Sequence, residues 1–387
     1  MSEGISRRSG KPLTIAIGIH HLAPRGGLED NCIRVAEELE QRGHSVTVFV
    51  AGGPGEQSFA TTVLAPSPLA LTNHGRAAAF ARAFRARTQG RFDRTVAFQP
   101  IPGADVLYLA DTLRDRPDTG LLKRLTPRFR TFAMLERGVF GASSAGRIIG
   151  LAVPQMSAFA KRYPESRIRI AIVPPTLPES RRRPELRTPE RRSAFRAEFG
   201  ISADSKVWLW LGLQPRVKGL DRVLEALARW PDVQLLVGGL ASGDRKAAAS
   251  LAAAKELGVA ERVHWLGYVS GERLFSAMAA SDLLAHPART DVTGGVILEA
   301  LINGLPVVAT ELCGFSTHIA ASGAGRVVPD PFDQSAFEEA LGIVMASDLA
   351  AMSRRGIDYG ADPSLYSGIS VACDLIEAQD WPQRHDV

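Results

Sequence analysis

Short apolar runs rich in β-branched residues alternate with segments of helical periodicity, twice over, and few folds accept that pattern. Residues 13–19 are apolar, a loop runs through 20–27, and 28–42 repeat their apolar positions at helical spacing before Gly43. Residues 45–50 then read as the next strand. A strand, helix, strand opening predicts a parallel sheet with helices on its faces. The alternation restarts with strands at 207–213, 233–237 and 263–265 and helices at 221–229 and 246–257. It continues with helices at 274–280, 296–303 and 334–345 and strands at 283–285, 306–309 and 326–328. Between the two series, residues 174–192 are rich in proline and charge and read as a linker or surface loop, the best domain boundary. The chain has 387 residues, more than one usual domain. An α/β chain of two doubly wound domains facing across a cleft is the economical architecture, with ligands expected at strand C-terminal ends.

Lys and Arg number 46 against 41 Asp and Glu, an excess too small to imply a nucleic-acid partner without a basic patch. Cys32, Cys313 and Cys373 are far apart and in no C-x-x-C spacing, which argues against a disulfide framework or a structural zinc site and fits a reducing cytosol. Residues 1–11 are polar and basic with no apolar segment behind them, and no uncharged run of about 18 residues occurs. Membrane contact is therefore expected to be peripheral.

The window Asp291-Val292-Thr293-Gly294-Gly295-Val296-Ile297-Leu298-Glu299 carries the strongest chemical signal. A buried strand ends just before it at Pro287, and a helix is expected from Val296. Unpaired N–H groups at a helix start face an anion, glycines let it approach, and carboxylates accept from sugar and ribose hydroxyls. The pattern reads as a pocket for a sugar joined to a diphosphate; the bland alternative is a strand-to-helix turn with two solvated acids. Arg216 and Lys218 lie in the loop after the second series' first strand, where they could clamp a diphosphate or form only a solvated basic loop. Gly26-Gly27 is no G-x-G-x-x-G fingerprint, and no acid follows at ribose spacing, which counts against a dinucleotide dehydrogenase. No D-x-D pair exists, so no metal site of that kind is expected.

These elements, with Gly26-Gly27-Leu28, Arg42-Gly43-His44, Thr72-Asn73-His74-Gly75-Arg76, Pro102-Gly103-Ala104-Asp105 leading to Ala110-Asp111, and Lys218-Gly219-Leu220-Asp221-Arg222, resemble glycosyltransferase family 4 with the GT-B fold. Within it they are similar to the lipopolysaccharide core heptose glucosyltransferase subfamily, over about residues 14–366. The resemblance implies an N-terminal acceptor domain at 12–176, a C-terminal nucleotide-sugar domain at 177–362, and a segment 363–387 crossing back to the first. It implies retaining transfer of a hexose, usually glucose, from a UDP-sugar to an inner-core heptose, with no metal or other cofactor. Lys218, with Arg216, would hold the diphosphate; Glu299 would bind ribose; Tyr268 lies where the base packs. Gly294, Gly295 and Val296 form the helix start, and Gly26 and Gly27 close over the phosphates. Asp291 takes the place of the acid that touches the donor sugar, and Asp111 that of the acid where the acceptor hydroxyl arrives. Two departures stand out. The family has Glu where this chain has Asp291, a retraction of about 1.5 Å. The subfamily has adjacent Arg-Lys where Val217 separates Arg216 from Lys218 here. A UDP-binding protein without turnover, or a same-fold transferase with another donor or lipid acceptor, is the alternative.

Residues 121–137 are basic and apolar at once. Leu121, Leu122, Leu125, Phe129 and Phe132 recur at helix spacing, with Lys123, Arg124, Arg128 and Arg130 largely off that stripe and Pro127 expected to kink or break the helix. Four basic residues at about 1 kcal/mol each would give reversible attachment to an anionic surface. The subfamily has a basic insertion here credited with membrane and acceptor contact, so the resemblance implies a cytoplasmic protein peripherally associated with the inner membrane. His20, His21 and His286 read as loop histidines that hydrogen-bond locally, and Asp105 as a helix cap.

Overall fold

The computed structural model describes residues 11–22, 27–52, 58–64, 70–116 and 119–381. The chain divides into two compact units, residues 1–176 with 366–387, and residues 177–365. The first holds β1 (Thr14–Ile19), β2 (Ser45–Val50), β3 (Ala60–Val63), β4 (Arg94–Ala97), β5 (Val106–Leu109), β6 (Arg147–Gly150) and β7 (Ile170–Ile172), ordered β3-β2-β1-β4-β5-β6-β7. The second holds β8 (Lys206–Leu211), β9 (Val233–Gly238), β10 (Val263–Gly267), β11 (Leu283–His286), β12 (Val307–Thr310) and β13 (Gly325–Val328), ordered β10-β9-β8-β11-β12-β13. The ladders are parallel. In each sheet the chain reverses direction beside its first strand, so crevices open past β1 and β4 and past β8 and β11, where doubly wound sheets bind ligands.

The strands read as continuous apolar runs because both faces are covered. Trp208 and Trp210 point into one layer of the second unit with Leu224 and Phe337, while Leu209 and Leu211 point into the other with Leu301 and Ile319. The first sheet packs Leu107 and Ile148 against Phe84, Phe140 and Phe159. Burial of such side chains contributes roughly 1.5–3 kcal/mol each.

An aspartate directly ahead of a strand fastens the strand's entry three times. Asp93 accepts from the Thr14 N–H and hydroxyl at 2.8 and 2.7 Å, Asp105 from those of Thr95 at 2.7 Å each, and Asp282 from the Val207 N–H at 2.7 Å. Asp105 is thus a cross-strand staple and not a helix cap.

The charged stretch 174–192 is less of a loop than its composition suggests. Arg187, Arg192 and Arg196 converge on the C-terminal carbonyls of the helix Gly271–Ala280: Arg187 on Met278 and Ser281, Arg192 on Ala279, Ala280 and Ser281, Arg196 on Ala280. Asp282 supplies the counter-charge to Arg192 at 2.7 Å and Arg196 at 3.3 Å. Cations satisfy a helix's last carbonyls and its negative end, so these arginines belong to the second unit.

The chain returns to the first unit at residue 366, and the helix Gly368–Glu377 packs along Gly27–Gln41. Arg42 reaches Asp374 at 2.6 Å, Glu377 at 3.2 Å and the Ser370 hydroxyl at 2.7 Å, while His44 Nε2 lies 3.1 Å from Glu377. The Arg42-Gly43-His44 element is this clasp.

Candidate active site

Past the ends of β8 and β11, three side chains of the second unit meet on one oxygen. Lys218 Nζ lies 2.6 Å and His286 Nε2 3.0 Å from Asp291 Oδ2. Burial alone would raise the Asp291 pKa, but the hydrogen bond and charge of His286 and then Lys218 prevail and bring it down to about 2. Burial likewise disfavours the His286 imidazolium, yet the Asp291 carboxylate, with Cys313 as its other polar neighbour, lifts it to about 9. Asp291 is therefore a buried anion, held between two cations.

The backbone makes this meeting possible. Gly219 sits at φ +75°, and a Cβ there would come within 2.0 Å of the Pro287 carbonyl oxygen, so only glycine lets the two loops touch. Trp210 Nε1 donates to the Lys218 carbonyl at 3.0 Å. Arg289 forks onto Asp221 at 2.8 and 2.7 Å and donates to the Arg216 carbonyl at 2.6 Å, while Arg222 donates to the Pro287 carbonyl at 3.0 Å. Asp291 itself is pinned through main-chain bonds to Leu312 and Gly314 at 3.3 and 3.0 Å.

The helix Gly295–Ile302 starts beside Asp291, with Gly294 left-handed at φ 72°. The N–H groups of Gly295 and Val296 have no acceptor among the described residues, and the space over Gly295 is open. An anion can approach these donors. Glu299, two-thirds along the helix, is largely buried; burial raises its pKa, opposed by Arg181 at 3.5 Å. Asn303 holds the Glu299 carbonyl at 2.7 Å and ties the helix to Arg181 and Arg183. Tyr268, 63% exposed past β10, offers its ring to solvent. Arg216 is exposed, and its guanidinium makes no ion pair among the described residues. What it offers to Arg289 is its carbonyl.

The first unit has a cavity of about 760 Å³ past β1, β4 and β5. Phe80, Leu109, Leu135 and Phe159 give it an apolar floor; His20, Arg76, Asp111, Arg114, Arg128 and Glu136 give it polar walls. Water reaches Asp111, but cavity-wall atoms crowd its carboxylate, and this loss of solvent raises its pKa against the Arg114 charge. The Asp111 and Leu109 carbonyls both accept from Gln155 Nε2, at 2.8 and 3.0 Å. Glu136, buried, takes the Arg114 N–H and the Tyr163 hydroxyl at 3.0 Å each. Burial, then His21, lowers the His20 pKa to about 4, so its imidazole is neutral at pH 7, and its buried Nε2 has no hydrogen-bond partner among the described residues. Thr72 caps the helix Asn73–Thr88, which carries Asn73 and Arg76 to the cavity.

The basic, apolar stretch forms two helices, Leu121–Leu125 and Pro127–Phe140, the second capped by Thr126 with Pro127 in its first turn. The single apolar stripe therefore does not form. Leu121, Leu122 and Leu125 are 79, 84 and 71% exposed, whereas Phe129 and Phe132 are half-buried, Phe132 against the cavity under Arg114 at 4.4 Å. Lys123, Arg128 and Arg130 are exposed beside the leucines. Arg124 is not a free surface cation: it pairs with Asp115 at 3.3 Å and donates to the Thr119 and Arg116 carbonyls.

Lys218, Asp291, Gly294, Gly295, Val296 and Glu299 thus share one end of the second sheet, and Asp111 stands at the corresponding end of the first. Gly26 lies outside the described residues; Gly27, exposed, opens the helix Gly27–Gln41, where a side chain would meet nothing. His286 is no loop histidine, being buried on β11 with its ring on Asp291. Arg289, Glu136 and Gln155 were given no role from the sequence, and Asp221 entered only within the Lys218-Gly219-Leu220-Asp221-Arg222 element; for His286 the position five residues before Asp291 was the available signal.

Residues 191–361 match the model of the glycosyl transferases group 1. The chain is 32% identical to the lipopolysaccharide glucosyltransferase WaaG of Escherichia coli (strain K12) over 376 residues, 94% of this chain and 98% of that protein. It superposes on the crystal structure of WaaG, a glycosyltransferase involved in lipopolysaccharide biosynthesis, with a TM-score of 0.83 and 31% identity over 94% of this chain and 99% of that one. Anabaena HepE, solved with UDP-glucose, shares the fold at a TM-score of 0.70 and 20% identity, over 94% of this chain and 98% of its own.

Proposed function

The chain belongs to the group 1 glycosyltransferases of GT-B fold, and from that premise we propose that it moves a hexose, glucose foremost, from a UDP-sugar to the inner-core heptose of lipopolysaccharide. The observation that carries the donor half is the meeting of Lys218, Asp291 and the Gly295 helix start at the ends of β8 and β11. Lys218 and the free N–H groups suit a diphosphate, Asp291 a sugar hydroxyl, and Glu299 the ribose. Lys218, rather than a metal ion, meets the charge that grows on the departing diphosphate.

Transfer with retention follows a front-face course. The bond from the anomeric carbon to the diphosphate oxygen breaks, the acceptor oxygen bonds to that carbon from the same side, and its proton passes to the departing phosphate oxygen. Asp111 lines the first unit's cavity, whose guanidinium groups suit an anionic saccharide, and there it orients the acceptor hydroxyl.

No helix among the described residues is long and apolar enough to cross a membrane. Exposed Leu121, Leu122 and Leu125 beside Lys123, Arg128 and Arg130 support peripheral attachment to an anionic bilayer surface, which for this acceptor is the cytoplasmic face of the inner membrane.

The test is UDP release by the purified protein across a panel of UDP-sugars, with a truncated heptose-bearing core as acceptor. Acceptor-dependent turnover with UDP-glucose supports the assignment, and turnover with another UDP-sugar alone changes the donor. UDP binding without turnover on any donor leaves a nucleotide-binding protein.

A further inference from the structure

Asp291 has two holders, and only one of them has a second task. The Lys218 ammonium carries three donors on a flexible stem, and a diphosphate is a strong competitor for it. His286 is bound to its place: it ends β11, is 1% exposed, and its Nδ1 is buried without a hydrogen-bond partner among the described residues. Its ring cannot follow a nucleotide. Both holders reach Oδ2, at 2.6 and 3.0 Å, which leaves Oδ1 to accept from a hydroxyl. A buried carboxylate that lost its sole cation would take up a proton or swing away.

We infer that His286 is a positioning residue for transfer: its imidazole fixes Asp291 through Oδ2 while Oδ1 takes a hydroxyl of the donor sugar and Lys218 turns to the diphosphate. The inference rests on the donor assignment above and adds a residue to it. The charged and titratable groups that face His286 are Asp291, Lys218 and Cys313. The arrangement also bears on the shortened acid: a carboxylate one methylene shorter than the family's is held at a fixed place by a ring at the end of β11, five residues before it.

The experiment compares His286→Gln, His286→Leu, Asp291→Asn and the His286→Leu/Asp291→Asn double variant, by transfer kinetics and by UDP affinity in calorimetry. His286→Leu should lower kcat on the order of a hundredfold, the scale of a misplacement of about 1 Å. UDP affinity should stay within about twofold, since Lys218 is untouched. His286→Gln, still able to donate one N–H, should recover about tenfold of the loss. The double variant should be no slower than Asp291→Asn. Wild-type kcat in His286→Leu, a parallel fall in UDP affinity, or full additivity in the double variant overturns the inference. A second arm needs no turnover: the imidazole N–H resonance of His286 should persist in Lys218→Ala and vanish in Asp291→Asn. Loss in the first variant or survival in the second also overturns it. Absence of transfer by the wild type from every donor, by contrast, tells against the transferase assignment, and the resonance then decides the anchor alone.

Discussion

Arg289 grips Asp221 through both terminal nitrogens, at 2.8 and 2.7 Å, and so ties the loop leading to Asp291 to the helix that follows Lys218. The two residues that meet on the Asp291 carboxylate, Lys218 from the loop after β8 and His286 from the end of β11, lie about 70 positions apart, and this fork sets their spacing. Arg289→Lys would keep the charge and lose the fork, together with the bond to the Arg216 carbonyl. The pair is one-third exposed, so stability should fall by less than about 1 kcal/mol. Activity should suffer more, with kcat/KM down roughly tenfold or more through misplacement. Thermal unfolding and transfer kinetics on the same preparation separate the two.

Lys218→Ala should reduce turnover by about a hundred- to a thousandfold if its ammonium stabilises the departing diphosphate. Near-normal kcat with any accepted donor removes it from that role.

The Asp291 and His286 pair gives stability a pH signature. The Asp291 pKa is depressed to about 2, so its contribution is present above the ordinary 3.8 and lost as pH falls toward 2. The His286 pKa is raised to about 9, so its contribution is complete below 6.5, declines between 6.5 and 9, and is gone above. Melting temperature should therefore fall on the alkaline side across that window, and Asp291→Asn should flatten this limb. A limb of equal slope in both proteins would mean that the pair is not its source.

The surface at Leu121–Leu125 predicts binding to vesicles with anionic phosphatidylglycerol and weak binding to neutral ones. Lys123→Ala with Arg130→Ala should cost about 1 kcal/mol per residue in vesicle affinity, and raised salt should weaken the wild type in the same sense. Arg124→Ala should instead lower thermal stability, because Arg124 holds Asp115 and the Thr119 carbonyl. Cosedimentation and melting curves distinguish these outcomes.

Gln155→Leu would strip the donors from the Asp111 and Leu109 carbonyls and the acceptor from the Leu151 N–H. The Leu109 carbonyl and the Leu151 N–H are buried, and leaving each unmet costs about 1–3 kcal/mol. Loss of acceptor-dependent turnover with UDP affinity retained is the expected pattern; unchanged acceptor KM would show that Gln155 does not place Asp111.

Helix and strand alternation was legible because it rests on local periodicity, and boundaries moved by only a few residues, as where the strand expected to reach 213 ends at Leu211. Lys218, Asp291 and Glu299 were legible because a loop or a single strand-to-helix turn carries them. His286 was not, since nothing local tells which way a ring at a strand end will face. The Arg289 fork joins distant positions. The arginines of 187–196 looked solvated because composition does not show that a helix elsewhere ends with its carbonyls toward them. The expected stripe from Leu121 to Phe132 failed at Thr126 and Pro127, where a capping hydroxyl and a proline restart the helix on a new axis.

The clasp of Arg42 on Asp374 joins residues 332 positions apart, the second made long after the first. The second unit is one continuous span of the chain, whereas the first lacks the helix Gly368–Glu377 until the span between has emerged. At about 5–20 residues per second, the apolar flank of Gly27–Gln41 that this helix covers waits for on the order of half a minute. During that interval the Val35 carbonyl lacks its partner Cys373 and that helix, and the first unit is the one that needs protection during synthesis.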